Sequence, residues 1–177
     1  MWMLLSRKDW EALISTCKIE VHKRYILRYF LGTKTSGYEK YISEKAANEG
    51  LEIVDLLDGR GNAKRKIGPG EFIFYIANSE CTYVDSFHGA VFSILFSRPF
   101  IVFERPYEEG AGIMTSRLDT LLSTFHMENR MVRDLEQLES TDGDCDFSEV
   151  EDILSVKRKE ALDFLTQALH IEGDVEN

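Results

Sequence analysis

Several things are scarce in this chain of 177 residues, and each shortage removes a class of function. Cysteines number three, at Cys17, Cys81 and Cys145, an odd count at wide spacing that makes neither a disulfide framework nor a zinc-ligand pattern. A reducing cytoplasm is the expected location. Positive charge is also in deficit: 21 Lys and Arg against 31 Asp and Glu give a formal net charge of -10. Nucleic acid and anionic membranes both call for a cationic footprint, so neither is expected as the main partner. No apolar run approaches the roughly 20 residues that a transmembrane helix needs. The opening MWMLLSRKDW reaches its charges too early for a signal peptide.

Two ligand-binding signatures are missing as well. The glycines of GRGNAKRKIG, residues 59–68, fit neither G-x-G-x-x-G nor G-x-x-x-x-G-K-S/T. The acidic run from Asp142 to Asp146 places carboxylates at positions 1, 3 and 5 of an EF-hand loop, but Phe147 stands where the loop needs glycine and Ile153 where it needs a bidentate glutamate. No metal and no cofactor are expected.

What is present is an ordinary globular composition, 44% hydrophobic and 29% charged, in a length that suits one domain with a real core. Strand-like runs alternate with helical ones. Helices are predicted over Ser6–Thr16, from Ser36 to about Asn48 with Gly50 as C-cap, over Pro69–Ser79, from Phe87 to about Phe96, over Ser116–Phe125 and over Ser148–Leu169. Strands are predicted over Tyr25–Leu31, Leu51–Leu57, Cys81–Val84 and Phe100–Phe103. Near-continuous apolar strands between helices imply an α/β fold: a Rossmann-like, mainly parallel open sheet with helices on both faces, in a single domain over residues 1–170. Residues 134–148 are expected to be an acidic mobile loop, and 171–177 a frayed tail. The basic loop carrying Arg60, Lys64, Arg65 and Lys66 is a secondary candidate for phosphate attraction, although four cations in a Gly-rich loop are more often only solvated.

The organising stretch is Cys81 to Phe103, a strand, helix, strand unit whose helix is apolar all round and therefore expected to be buried. Its entrance differs from the other predicted helix starts. Ser6 with Asp9, Ser36 with Glu39, Ser116 with Asp119 and Ser148 with Glu151 match the capping box, and Gly68 with Glu71 supplies the same carboxylate. Ser86 is instead followed three residues on by Gly89, which leaves the dipole end uncompensated and open to an anion. His88 could add a hydrogen bond or a proton. The plainer alternative is that Ser86 alone caps the helix and His88 is a satisfied core histidine.

The run GPGEFIFYIANSECTYVDSFHGAVFSILFSRPFIVF, residues 68–103, followed by SRLDTLLSTF at 116–125, resembles the C-terminal half of the polysaccharide pyruvyl transferase family. The resemblance implies a transferase related in architecture to the GT-B glycosyltransferases, moving a pyruvyl group from phosphoenolpyruvate onto a sugar of a cell-surface polysaccharide as a ketal. Many members carry arginine where this chain has Ser86, and full-length members have an N-terminal domain. A homo-oligomer or a separately encoded N-terminal half is accordingly the expected partner, with little activity from the chain alone.

On this reading His88 is catalytic, and the amides of Ser86, Phe87 and Gly89 hold an anion. Arg117 adds charge; its position near a predicted helix start is electrostatically disfavoured unless an anionic ligand offsets it. Ser116 joins it through the S-R-L motif, although the capping box alone accounts for that serine. Glu104 and Arg105, at the same predicted sheet edge as His88, could face the ligand or pair with each other. The alternatives are half of a GT-B-type glycosyltransferase binding a sugar nucleotide, and a non-catalytic interaction domain.

Overall fold

Strands covered on both faces require apolar side chains in both directions, and four of the runs above meet that demand. A computed structural model of the chain describes residues 4–32, 36–57, 67–104 and 111–169, with backbone alone for 111–115. Its elements run α1 (Arg7–Ile14), β1 (Tyr25–Tyr29), α2 (Ser36–Glu49), β2 (Glu52–Asp55), α3 (Pro69–Ala77), β3 (Cys81–Val84), α4 (Phe87–Leu95), β4 (Phe100–Phe103) and α5 (Ala111–Thr124). A 3-10 turn, Glu128–Arg130, then leads into β5 (Met131–Val132), α6 (Leu135–Thr141) and α7 (Val150–Ala168).

The strands form one five-stranded sheet in the order β2-β1-β3-β4-β5, and every neighbouring pair is parallel. Parallel crossovers are right-handed, so the leftward step from β1 to β2 and the rightward steps from β2 onward must place their helices on opposite faces. The core divides in that way. Val84, Phe100, Val102 and Met131 pack with residues of α3, α4, α5 and α7. Their strand neighbours Cys81, Tyr83, Ile101, Phe103 and Val132 pack with Ile42 and Ala46 of α2 and Leu138 of α6. The α/β fold with a parallel sheet and helices on both faces is therefore as expected.

Local stops and starts follow from single residues. Gly50, at φ 67°, ends α2 in a left-handed conformation while the Leu51 amide donates back to the Ala46 carbonyl. Ser6 and Asp9 form a complete capping box, and the Gly68 amide donates to the Glu71 carboxylate at 3.0 Å. Two expected boxes are not there. α5 begins at Ala111, which puts Ser116 and Asp119 inside the helix, and α7 has Glu149 at its N-cap position, with Ser148 donating its amide to Asp146 instead. The residue before Ser36 lies outside the described residues, as do Trp2, Met3, the cations of the basic loop, Arg105 and the 171–177 tail. No helix among the described residues is long and apolar enough to cross a membrane.

The acidic stretch, expected as loop throughout, contains α6, started by Asp134 accepting from the Gln137 amide at 2.8 Å. Asp142, its side chain 3% exposed, accepts from the hydroxyls of Tyr83 at 2.6 Å and Tyr41 at 2.9 Å and lies 3.0 Å from Lys45 Nζ. Burial, above all, holds both phenols protonated well beyond their usual range. The buried Arg130 donates to the carbonyls of Thr141, Gly143 and Asp144, compensating the negative end of α6. Deleting Asp142 leaves two hydroxyls without their acceptor and the Lys45 ammonium with Glu49 alone, at 3.4 Å. Asp142→Ala should therefore cost about 3 kcal/mol in urea unfolding; a loss below about 1 kcal/mol would show that the knot carries little stability.

Candidate functional site

In a doubly wound sheet, ligands collect outside the carboxyl ends of the strands, where neighbouring connections diverge to opposite faces. Here that place is between β1, which leads to α2 on one face, and β3, which leads to α4 on the other. A cavity of about 480 Å³ opens there. Tyr29 and Leu31 come from the end of β1, Leu56 and Leu57 from the end of β2, and Ser86, His88 and Phe92 from the turn after β3 and from α4. The first turn of α3 and Trp10 of α1 complete the lining.

Its wall is a chain of edge-to-face aromatic contacts. The ring centroids are 5.0 Å apart for Tyr29 and Phe72, 6.2 Å for Phe72 and Phe92, and 5.1 Å for Trp10 and Phe92. No Lys, Arg, Asp or Glu lines the cavity among the described residues. The polar atoms at its edge are uncommitted: among the described residues the His88 ring, the Tyr29 hydroxyl and the Trp10 indole N–H make no hydrogen bond. A pocket of this size and character, apolar with a few convergent polar groups, suits a small organic ligand.

The expected site residues separate into groups. Ser86 is the N-cap of α4 and accepts from the Gly89 amide at a long 3.5 Å, and no acidic residue occupies the first turn. His88 is exposed and stands at the cavity rim, one helical turn from Phe92, so it is not a core histidine. Phe87 is buried beside it: the two rings meet edge to face at 5.7 Å, and the Arg117 guanidinium lies 4.3 Å from the Phe87 ring centroid. Arg117 thus comes within one side chain of His88, but as a stacked cation in the second turn of α5 and not at a helix start. Ser116, exposed in the same helix, accepts a hydrogen bond from Thr120 through its carbonyl. Arg105 lies outside the described residues; Glu104 meets Arg133 Nε at 3.1 Å, beyond the ends of β4 and β5.

A model of the polysaccharide pyruvyl transferase family matches residues 4–106. The chain belongs to that family. No curated protein and no solved structure matches at a significant level. In this polysaccharide pyruvyl transferase-like domain the matched residues contain β1 to β4 and every residue of the cavity lining, whereas Arg117, Arg130 and Asp142 lie beyond them.

Sequence reasoning did not find the cavity wall or Asp85. Trp10, Tyr29, Phe72 and Phe92 are far apart in the chain and read singly as packing; the i, i+4 spacing of His88 and Phe92 was the one available signal. Asp85, 4% exposed at the end of β3, accepts from the amides of Leu31 and Gly32, each at 2.7 Å. An acidic residue directly after an apolar strand was the available signal.

Gly89 is where α4 and β3 come closest. A Cβ there would lie 2.8 Å from Val84 Cγ1 and 3.0 Å from Val84 Cβ, so the first turn of α4 rests directly on β3. A carboxylate introduced at this position would collide with the strand before it could cap the helix. Gly89→Ala should destabilise by roughly 1–3 kcal/mol, opposite in sign to the usual gain from replacing a helical glycine. In a double-mutant cycle Val84→Ala should absorb much of that loss; additive effects would contradict the contact.

Proposed function

We propose that this domain binds phosphoenolpyruvate at the carboxyl edge of the sheet and passes its pyruvyl group, as a ketal, to two hydroxyls of a sugar in a cell-surface polysaccharide. The observation that carries the reading is His88: an exposed, uncommitted imidazole at the rim of the switch-point cavity, within the residues that match the family. The atoms balance simply. One acceptor hydroxyl adds to C2 of the enol while C3 gains a proton and becomes a methyl group. The second hydroxyl displaces phosphate from C2, and its proton leaves with the phosphate.

His88 is placed to deliver the proton to C3 or to hold the departing phosphate. Positioned proton transfer of this kind contributes about 10² to 10⁴-fold in rate. The first turn of α4, from Ser86 through Phe87 to Gly89, has no acidic residue of its own, so the positive end of the helix dipole is left to the donor's negative charge. The Arg117 guanidinium adds its field from behind the Phe87 ring. The aromatic wall offers a water-poor surface to the methylene group and to the apolar face of a sugar ring.

Calorimetric titration with phosphoenolpyruvate, against UDP and CMP as controls, tests the reading. Binding of phosphoenolpyruvate alone is expected. In His88→Ala the fold should hold to within about 0.5 kcal/mol, as for other exposed positions. Affinity should drop about tenfold to a hundredfold, the worth of one hydrogen bond to a charged group. Binding of UDP or CMP in place of phosphoenolpyruvate would favour the glycosyltransferase alternative, and equal affinity of both variants would remove His88 from the site.

A further inference from the structure

The turn after β1 is where a doubly wound fold ordinarily holds the phosphate of its ligand, on successive backbone amides. In this chain those amides are already taken. Leu31 and Gly32 donate from consecutive positions to the two carboxylate oxygens of Asp85, each at 2.7 Å. Asp85 stands at the matching height on the neighbouring strand: Tyr29 is paired with Val84 across β1 and β3, and the Asp85 amide continues the ladder to the Tyr29 carbonyl. Asp85 is 4% exposed, so its carboxylate fills the amide pair from inside the protein, within the β1–β3 switch point.

We propose that Asp85 is an internal anion that selects against external ones: its carboxylate occupies the phosphate position of the β1 turn and so confines a ligand's anionic group to the His88 side of the cavity. Two amides converging on one point bind one anion, and a second negative group brought beside Asp85 would meet like charge in a poorly solvated place. The same bond fixes the turn carrying Leu31, which lines the cavity, so the device also sets the wall that faces His88. The assignment of Asp85 needs no assumption about the donor's identity; a chain that never turned over phosphoenolpyruvate would be expected to behave in the same way.

The test is an amide NMR titration of the full chain with inorganic phosphate and, separately, acetate. In the wild-type protein neither anion should shift the Leu31 and Gly32 resonances. In Asp85→Gly, which leaves a space of acetate shape, both resonances should shift saturably with acetate, and added acetate should raise the melting temperature of the variant while leaving the wild type unchanged. A merely structural carboxylate would lower stability without creating this new anion response. Phosphate-dependent shifts at Leu31 and Gly32 in the wild type would overturn the proposal, as would a folded Asp85→Gly that ignores acetate. Should Asp85→Gly fold only when acetate is present, that rescue itself supports the assignment, and the wild-type titration remains able to refute it.

Discussion

The close approach of α4 to β3 is the constraint on which the rest of this molecule depends. Gly89 sits against Val84 with no room for a Cβ, so the helix lies flat on the strand that precedes it. A helix apolar on all sides gains most when every side is covered, and α4 is covered by α3, α5 and the sheet. In its first turn only His88 is exposed. Because the body of the helix is fixed, His88 is held outward at the carboxyl edge, while Phe92, one turn further on, reaches Trp10 and Phe72.

The chain's acidity does not extend into that site. Each carboxylate near the carboxyl edge that the structure describes is engaged locally. Asp85 accepts from two amides, Asp55 pairs with Arg28 across β1 and β2 at 2.9 Å, and Glu104 pairs with Arg133. Buried charges are tolerable only when so compensated. Among the described residues the cavity lining carries no formal charge; in the proposed site an anion would meet the N-terminal end of α4 and His88, with the Arg117 guanidinium behind the Phe87 ring. Such preorganised groups act more strongly in an apolar surround than they would in water.

How far the fold was legible can be traced to particular residues. The four long strands and the helices between them were readable because apolar runs of the right length alternate with turn residues, and the sheet class followed from that alternation. β5, only Met131–Val132, is too short to carry a pattern, and α6 was hidden by a run of acids whose one buried side chain is Leu138. The capping-box pattern served for Ser6 and Glu71 and misled at Ser116 and Ser148, since S-x-x-D/E describes three residues of spacing and cannot tell a helix start from its interior. The missing carboxylate at the entrance of α4 was visible because it was a contrast among several starts. The cavity wall was not, because topology alone brings Trp10, Tyr29, Phe72 and Phe92 together. Asp85 was missed for a similar reason: its partners are amides, which have no signature in sequence.

The central claim is that the donor binds at the carboxyl edge beside His88. The most direct measurement is a crystal of the chain soaked with phosphoenolpyruvate. The account predicts the ligand at the rim of the cavity, with an anionic group against the first turn of α4, the methylene facing the His88 ring and no ligand oxygen on the Leu31 and Gly32 amides. Phosphoenolpyruvate bound at the other end of the sheet, or seated on the β1 turn in place of Asp85, would contradict it.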